Sequence, residues 1–275
     1  MSVALRKSKQ SCLKILSSTS FRRYRELLLV LIPQNLHTRY RGSFLGVYWS
    51  LLNPLTMTAL YTAIFGAAFA SYYNDSILNY MLAAFTGLLV TNFFNSSTTQ
   101  ALGSIVGNGD LLNKVYLPPA VFPLAMIGVN IFQFVVGSLP LLIIVTLINS
   151  DNFFSVFLLF FPFFCLVLVC TGIGLLMSAL YVFFRDLGYF YEIATFVVWI
   201  TSPVFYPVDI VPERIQPFLK FNPLVPIIES FRLISLQNSA PPLNYYLWSL
   251  SSGLIILALG WFFFHRVKGA FLDLL

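Results

Sequence analysis

Apolar residues run along this chain in long uncharged windows, not in alternation with polar ones. Nothing charged occurs over 42–74, 76–109, 115–150, 152–184 or 233–265. Each window exceeds the about 20 residues a helix needs to cross a bilayer. A shorter window, 193–208, reaches that length when it begins at Leu187 and takes Glu192 one turn inside the interface. Strands are excluded, because the runs lack the period of two of a membrane barrel. The windows predict six spans near 46–69, 80–103, 120–147, 155–182, 187–205 and 245–264. The fold class is an all-α integral membrane protein.

The segments around the spans differ in kind. Residues 1–20 are basic and Ser-rich and read as a mobile or lipid-touching tail. They do not read as a cleavable signal, because the first apolar run starts late and lacks a small-residue cleavage site. Over 21–32 the pattern suits a helix on the membrane surface, with Arg22, Arg23 and Arg25 reaching toward phosphates. Pro33 is expected to end or bend it. Gly42, after Arg41, gives the backbone freedom to turn into the bilayer. This divides the chain into a tail and interface helix over 1–43, a transmembrane domain over 44–265 and a short tail over 266–275.

Between spans five and six the chain carries Pro203, Pro207, Pro212, Pro217, Pro223, Pro226, Pro241 and Pro242 yet stays largely apolar. Such prolines cut a helix into pieces. Ile227, Ile228, Phe231 and Ile234 nevertheless recur at helical spacing, opposite Glu229, Ser230, Arg232 and Ser235. Two short re-entrant helices, about 209–219 and 224–237, are expected to dip into the outer leaflet, with a plain loop as the alternative. Glu229 and Arg232 would pair on the polar face and look toward water, with Ser230 and Ser235 open to it.

Composition agrees with this solvent. Of 275 residues 58% are hydrophobic and 9% charged, against roughly 25% charged in soluble domains. Length alone would allow about two soluble domains, but no polar block is long enough to be one. Nine of the sixteen Lys and Arg precede residue 42, so the net charge of +6 points to anionic lipid and not to nucleic acid. With the N-terminus inside, thirteen Lys and Arg lie on the cytoplasmic side and three, Arg214, Lys220 and Arg232, on the other. That bias puts both termini in the cytoplasm. Cys12 is in the tail, and Cys165 and Cys170 stand five apart in an apolar run, so neither a disulfide nor a metal site is expected. His37 and His265 read as solvated histidines near the cytoplasmic border.

Little catalytic chemistry is legible. No Gly-x-x-x-x-Gly-Lys-Ser/Thr occurs, so the chain is not expected to cradle ATP by itself. No acid sits at the centre of a span, which removes the usual proton relay. No internal repeat is visible, which argues against a transporter built from inverted repeats. In span two, Asn92, Asn95, Ser96, Thr99 and Gly103 form a polar stripe that could line a hydrophilic path or glue helices together. The Phe-dense run 153–164 reads as lipid-facing or packing material, or as a lining on which sugars stack.

Several fragments, taken in order, resemble one family. Thr38-Arg39-Tyr40-Arg41-Gly42-Ser43-Phe44-Leu45-Gly46-Val47-Tyr48-Trp49 with Asn53-Pro54-Leu55 resembles the lead into the first span of the membrane subunits of type-2 ABC transporters that export O-antigen, capsule or teichoic acid. Residues 108–118 with Pro123 resemble its loop after span two, and Phe184-Arg185-Asp186 its turn after span four. Ser202-Pro203-Val204-Phe205-Tyr206-Pro207 and Asn222-Pro223-Leu224, followed by Arg232, resemble its outer gate. Two stretches depart from the pattern: Gln34-Asn35-Leu36-His37 replaces charged residues, and Val90-Thr91 replaces a frequent Pro-Trp.

The resemblance implies a homodimeric permease in the cytoplasmic (inner) membrane, paired with two copies of a separate ATPase and moving a lipid-linked polysaccharide. ATP and Mg would be used by that partner, with no cofactor bound by this chain. ATPase coupling would fall to Arg39, Arg41, Asn108, Asp110, Lys114, Arg185 and Asp186. Channel and gate would fall to Asn92, Asn95, Ser96, Thr99, Pro203, Tyr206, Pro207, Glu229 and Arg232. The alternatives are an ABC permease for a drug or lipid, and a membrane enzyme or scaffold that works without an ATPase. The charge count makes a direct prediction about topology. A reporter active only outside the cytoplasm should work when fused after Asn74, Asn152 or Gln237 and fail after Asp110, Asp186 or Leu275. Activity after Asp186 would contradict the six-span arrangement.

Overall fold

Broken backbone and unbroken helix alternate along this chain, and each break has a residue behind it. The structure, a computed structural model, describes residues 22–115, 117–149, 153–212, 214, 216–237 and 239–274; the basic tail lies outside them. The first helix, α1, covers 22–40 and passes straight through Pro33, where an end or bend was expected. Pro33 removes one N–H and frees the carbonyl of Leu29. Both residues lie on the exposed side, where water or headgroups can meet that carbonyl. On its inner side α1 packs onto the bundle through Tyr24 and Leu31.

Gly42 at φ +79° and Gly46 at φ +52° then reverse the chain in the left-handed region, which glycine enters at no steric cost. A 3-10 turn, Gly46–Tyr48, leads into α2 (Trp49–Phe69). Asn74 and Asp75, also at positive φ, turn the chain into α3 (Ile77–Ser104), whose first turn is capped by Ser76. The short α4 (Gly109–Lys114) precedes α5 (Val121–Gln133). A five-residue π-helix, Phe134–Ser138, then joins α5 to α6 (Leu139–Asn149). Pro140 explains it: its missing N–H leaves the carbonyl of Val136 without an α-helical partner, and the widened turn absorbs the misfit.

Next come α7 (Phe154–Leu158), α8 (Phe160–Phe183), α9 (Leu187–Thr201) and, after the proline-rich stretch, α12 (Leu243–Val267) and α13 (Phe271–Leu274). Among the described residues five helical runs are long and apolar enough to cross a membrane: Gly46–Tyr73, Ile77–Ser104, Val121–Asn149, Phe154–Phe183 and Leu243–Ala270. No strand occurs among the described residues. The fifth expected span, 187–205, is helical only to Thr201. Its 15 residues cover about 22 Å, against a hydrocarbon core of about 30 Å.

α3 sits at the centre, with 67% of its apolar window buried, against 17% for α2 and 22% for α12. Lipid offers its polar residues nothing, so the protein interior takes them. α8 and α12 meet at bare backbone: a Cβ on Gly260 would lie 2.0 Å from the carbonyl oxygen of Gly172. Cys165 and Cys170 are buried in the main core, which gathers Phe85, Phe93, Leu142, Leu166 and Phe231. A second core of Ile105, Leu112, Phe122, Leu175, Phe264 and Phe271 closes the end beside α1. That end carries Lys114, Arg185, Arg266 and Lys268 and is called the basic end below; the opposite one is the far end.

At the far end three corrections arise. A 3-10 turn, Val208–Ile210, and α10 (Gln216–Phe221) stand where one helix over 209–219 was expected. Pro212 disfavours helix in the residue before it, whereas Pro217 falls in the first turn of α10, where its missing N–H costs nothing. The second correction concerns α11 (Leu224–Leu236). It buries Ile227, Ile228, Phe231 and Ile234 as expected, but also Ser230 and Ser235. Those two hydroxyls donate to the carbonyls of Pro226 and Phe231, at 2.6 and 2.7 Å, so they enter the core with a partner. Arg232 is the third: it is buried and does not look toward water.

Candidate functional site

Two polar constructions stand at the two ends of α3. The first begins where α1 stops. Its last turn brings Arg39 and Tyr40 against α3 and the end of α5, and together with the start of α2 they enclose a cavity of about 410 Å³. Ser50, Asn53, Asn92, Ser96 and Gln133 line it. Arg39 Nη1 donates to Gln100 Oε1 at 3.1 Å and to Gln133 Oε1 at 3.3 Å. Asn130 Nδ2 donates to the same Gln100 oxygen at 3.0 Å, and Gln133 Nε2 donates to Tyr40 Oη. Burial pushes the Tyr40 hydroxyl above its ordinary pKa, the Arg39 guanidinium pulling weakly the other way, so it stays a neutral acceptor. The π-helix runs along this wall, and a Cβ on Gly137 would meet Ser50 Oγ at 2.8 Å.

The polar stripe of α3 is split by this arrangement. Asn92 and Ser96 line the cavity, while Thr99 is exposed and Asn95 and Gly103 are half-buried. Arg39, Arg41, Asp110, Lys114, Arg185 and Asp186 are all exposed, and of these Arg39 also hydrogen-bonds to Gln100 and Gln133 of the bundle. Asn108 donates to the carbonyl of Ser104 at 2.8 Å and so continues the end of α3. Gln100, Asn130 and Gln133 escaped the sequence reading. The signal was present, since Gln100 prolongs the stripe of α3 and Asn130 and Gln133 stand three apart in an apolar window.

The second construction holds the irregular residues 202–207 against α3. Arg232 Nε donates to the carbonyl of Ala83 at 3.2 Å, and Nη2 donates to those of Pro203 and of Val204, the latter at 3.0 Å. Its Nη1 meets Glu229 Oε1 at 2.8 Å, closing the pair that the three-residue spacing predicted. Tyr80 Oη donates to the carbonyl of Phe205 at 3.1 Å, and Asn222 Nδ2 to Ser202 Oγ at 3.0 Å. Tyr206 Oη donates to the carbonyl of Ile200. Pro203 and Pro207 are buried beneath these bonds. α3 comes close here at Gly87, where a Cβ would lie 3.0 Å from the Cα of Val204.

An all-helical domain with five membrane-crossing runs, a basic end and a polar cavity opening beside its central helix is an integral membrane domain of the transporter kind. The profile of the ABC-2 type transporter family matches residues 26–236, and the chain belongs to that family. It is similar to the O-antigen export system permease protein RfbA of Klebsiella pneumoniae, 29% identical over 254 residues, 91% of this chain and 95% of that protein. It is 29% identical over 222 residues to the Myxococcus xanthus protein of the same name, covering 79% of this chain and 83% of the relative. The capsule polysaccharide export inner-membrane protein CtrC of Neisseria meningitidis is 25% identical over 235 residues, 84% and 86% of the two chains.

The far-end clamp makes a stability prediction. Removing one partner of a buried ion pair costs about 3–5 kcal/mol, because it strands the other. Arg232→Ala should therefore lower the thermal unfolding temperature sharply in detergent. Arg232→Lys should not rescue it, since an ammonium lacks the planar fork that serves several carbonyls at once. Glu229→Gln keeps an acceptor and should lose less. Equal stability of Arg232→Ala and the wild type would refute the clamp.

Proposed function

We propose that this chain is the channel-forming permease subunit of an ATP-driven exporter that carries a lipid-linked polysaccharide across the cytoplasmic membrane. The observation that carries this reading is the polar, open face between α2 and α3. Asn53, Asn92 and Ser96 are half-buried or exposed there, within two of the helical runs long and apolar enough to cross a membrane. Amides and hydroxyls facing hydrocarbon are costly, so this face belongs to a hydrated path. Hydroxyl-rich cargo suits such a path better than an apolar drug or lipid does. The export permeases among the relatives support the same cargo class.

The path is completed by a second copy. α2 is the least apolar of the five long helices and also the least buried, so part of it faces a partner and not lipid. α9 is exposed almost all round, with only Tyr191 buried, and is a second candidate for that contact. In this arrangement α9 and the non-helical residues 202–207 together make the sixth crossing, and the basic end with both termini is cytoplasmic. The far-end helices α10 and α11 then form the outer gate.

ATP is hydrolysed by a separate subunit that docks on the basic end. Asp110 and Lys114 stand exposed on α4, while Leu112 of the same helix is buried against Phe264 and Phe271. A push on α4 therefore enters the core directly. Arg41, Arg185 and Asp186 extend the docking face, and Arg39 transmits the displacement of α1 to α3 and α5 through Gln100 and Gln133. Mg and ATP belong to the partner's chemistry.

Deleting the gene in its source cell tests this. Surface glycan should disappear while its lipid-linked form accumulates inside, and the wild-type gene should restore export. Asp110→Ala with Lys114→Ala should insert normally yet export at least tenfold less. Unchanged surface glycan after deletion would overturn the reading.

A further inference from the structure

The far end holds a second pocket that the clamp does not use up. It measures about 240 Å³ and lies between the turn that follows α2, the start of α3, the last turns of α11 and the first turn of α12. We propose that it is a saccharide subsite, holding about one sugar ring of the chain as it leaves the gate. The proposal rests on the exporter reading and adds a place where the cargo is held.

The lining decides the ligand class. Tyr72, Asn79, Glu229, Arg232, Gln237 and Tyr245 contribute the groups that matter. Among the described residues of the lining, the ionised side chains are Glu229 and Arg232, and they neutralise each other at 2.8 Å. The carbonyls of Ala83, Pro203 and Val204 and the Glu229 carboxylate engage four of its five N–H donors, so Arg232 cannot offer the bidentate fork that a phosphate favours. A neutral pocket of this kind selects against anions and for a polyhydroxylated ligand.

The uncharged groups fit that ligand. Glu229 gives Oε1 to Arg232, and a carboxylate has about four lone-pair sites, so acceptor capacity remains for hydroxyl donors. Asn79 and Gln237 each carry both a donor and an acceptor, the combination that vicinal hydroxyls need. Tyr72 and Tyr245 supply flat apolar faces with a polar tip, suited to the C–H face and the hydroxyl edge of a sugar. The volume is below the about 300–1,000 Å³ of drug-sized sites, which matches one ring and not an oligomer. The floor is rigid, because Arg232 is buried and fixed by the clamp. Asn74 and Asp75, at φ 56° and 52°, hold the rim in a turn that other side chains rarely adopt.

Photo-crosslinking in glycan-producing cells tests the subsite. A benzophenone amino acid is placed at Tyr72 or Tyr245, with Ser96 and Thr99 as positions on the path and the exposed Leu259 of α12 as the background. Irradiation should give a glycan-positive ladder at 72 and 245, at least fivefold above that at 259. Adding Asn79→Ala with Gln237→Ala should reduce it at least fivefold at unchanged protein level. A ladder at 96 or 99 without one at 72 and 245 overturns the subsite and leaves the exporter reading standing. Equal ladders at 245 and 259 also overturn it. No ladder at any position overturns both.

Discussion

A backbone at membrane depth has no water to fall back on, so every carbonyl that leaves a helix must be met by the protein. The rest of this structure depends on how that requirement is answered at residues 202–207. Prolines at 203 and 207 forbid helix there, and the freed carbonyls would be costly in hydrocarbon. The guanidinium of Arg232 takes those of Pro203 and Val204, together with that of Ala83 on α3, while Tyr80 takes that of Phe205. One buried cation thus meets two carbonyls of this irregular segment, and Glu229 balances its charge. An ion pair in such a place is weak evidence of stability as such, but here it fixes one geometry for a segment that has no ladder of its own.

The two polar constructions share α3. Ala83 and Gly87 receive the far-end segment, and Gln100 receives Arg39 near the basic end. The distance along the helix between Ala83 and Gln100 is about 26 Å at 1.5 Å per residue. Arg39 of α1 and the Arg232 clamp of the far-end segment are thus both attached to one continuous helix. The π-helix beside Ser50 gives the neighbouring α5–α6 run a place to change pitch without breaking.

Much of this was legible in the sequence, because length of uncharged run is what membranes select. Four of the five long helical runs lie within the long uncharged windows, and the fifth, Leu243–Ala270, overruns its window to take in Arg266 and Lys268. The stripe at Asn92 and Ser96 showed its periodicity, and Glu229 with Arg232 showed its spacing. What failed did so for identifiable reasons. Pro33 was read with a rule for buried helix interiors, whereas the exposed side of α1 tolerates the lost bond. The polar side of α11 was read as if water surrounded it. In lipid the interior is the polar refuge, so Ser230, Arg232 and Ser235 turned inward with partners in hand. The destination of Arg39 depended on Gln100 and Gln133, residues 61 and 94 positions away, and no local pattern announces such a meeting.

Hydrogen–deuterium exchange over residues 198–211 measures the central claim most directly. Arg232→Met keeps an unbranched apolar stem in the core while removing all the donors. In the wild type the irregular part of this stretch, 202–207, should exchange slowly for a segment without regular structure. In the variant it should exchange at least tenfold faster, with α12 unchanged as a sign that the bundle is intact. Equal protection of residues 198–211 in both proteins would show that the outer segment holds itself, and that Arg232 is not what closes it.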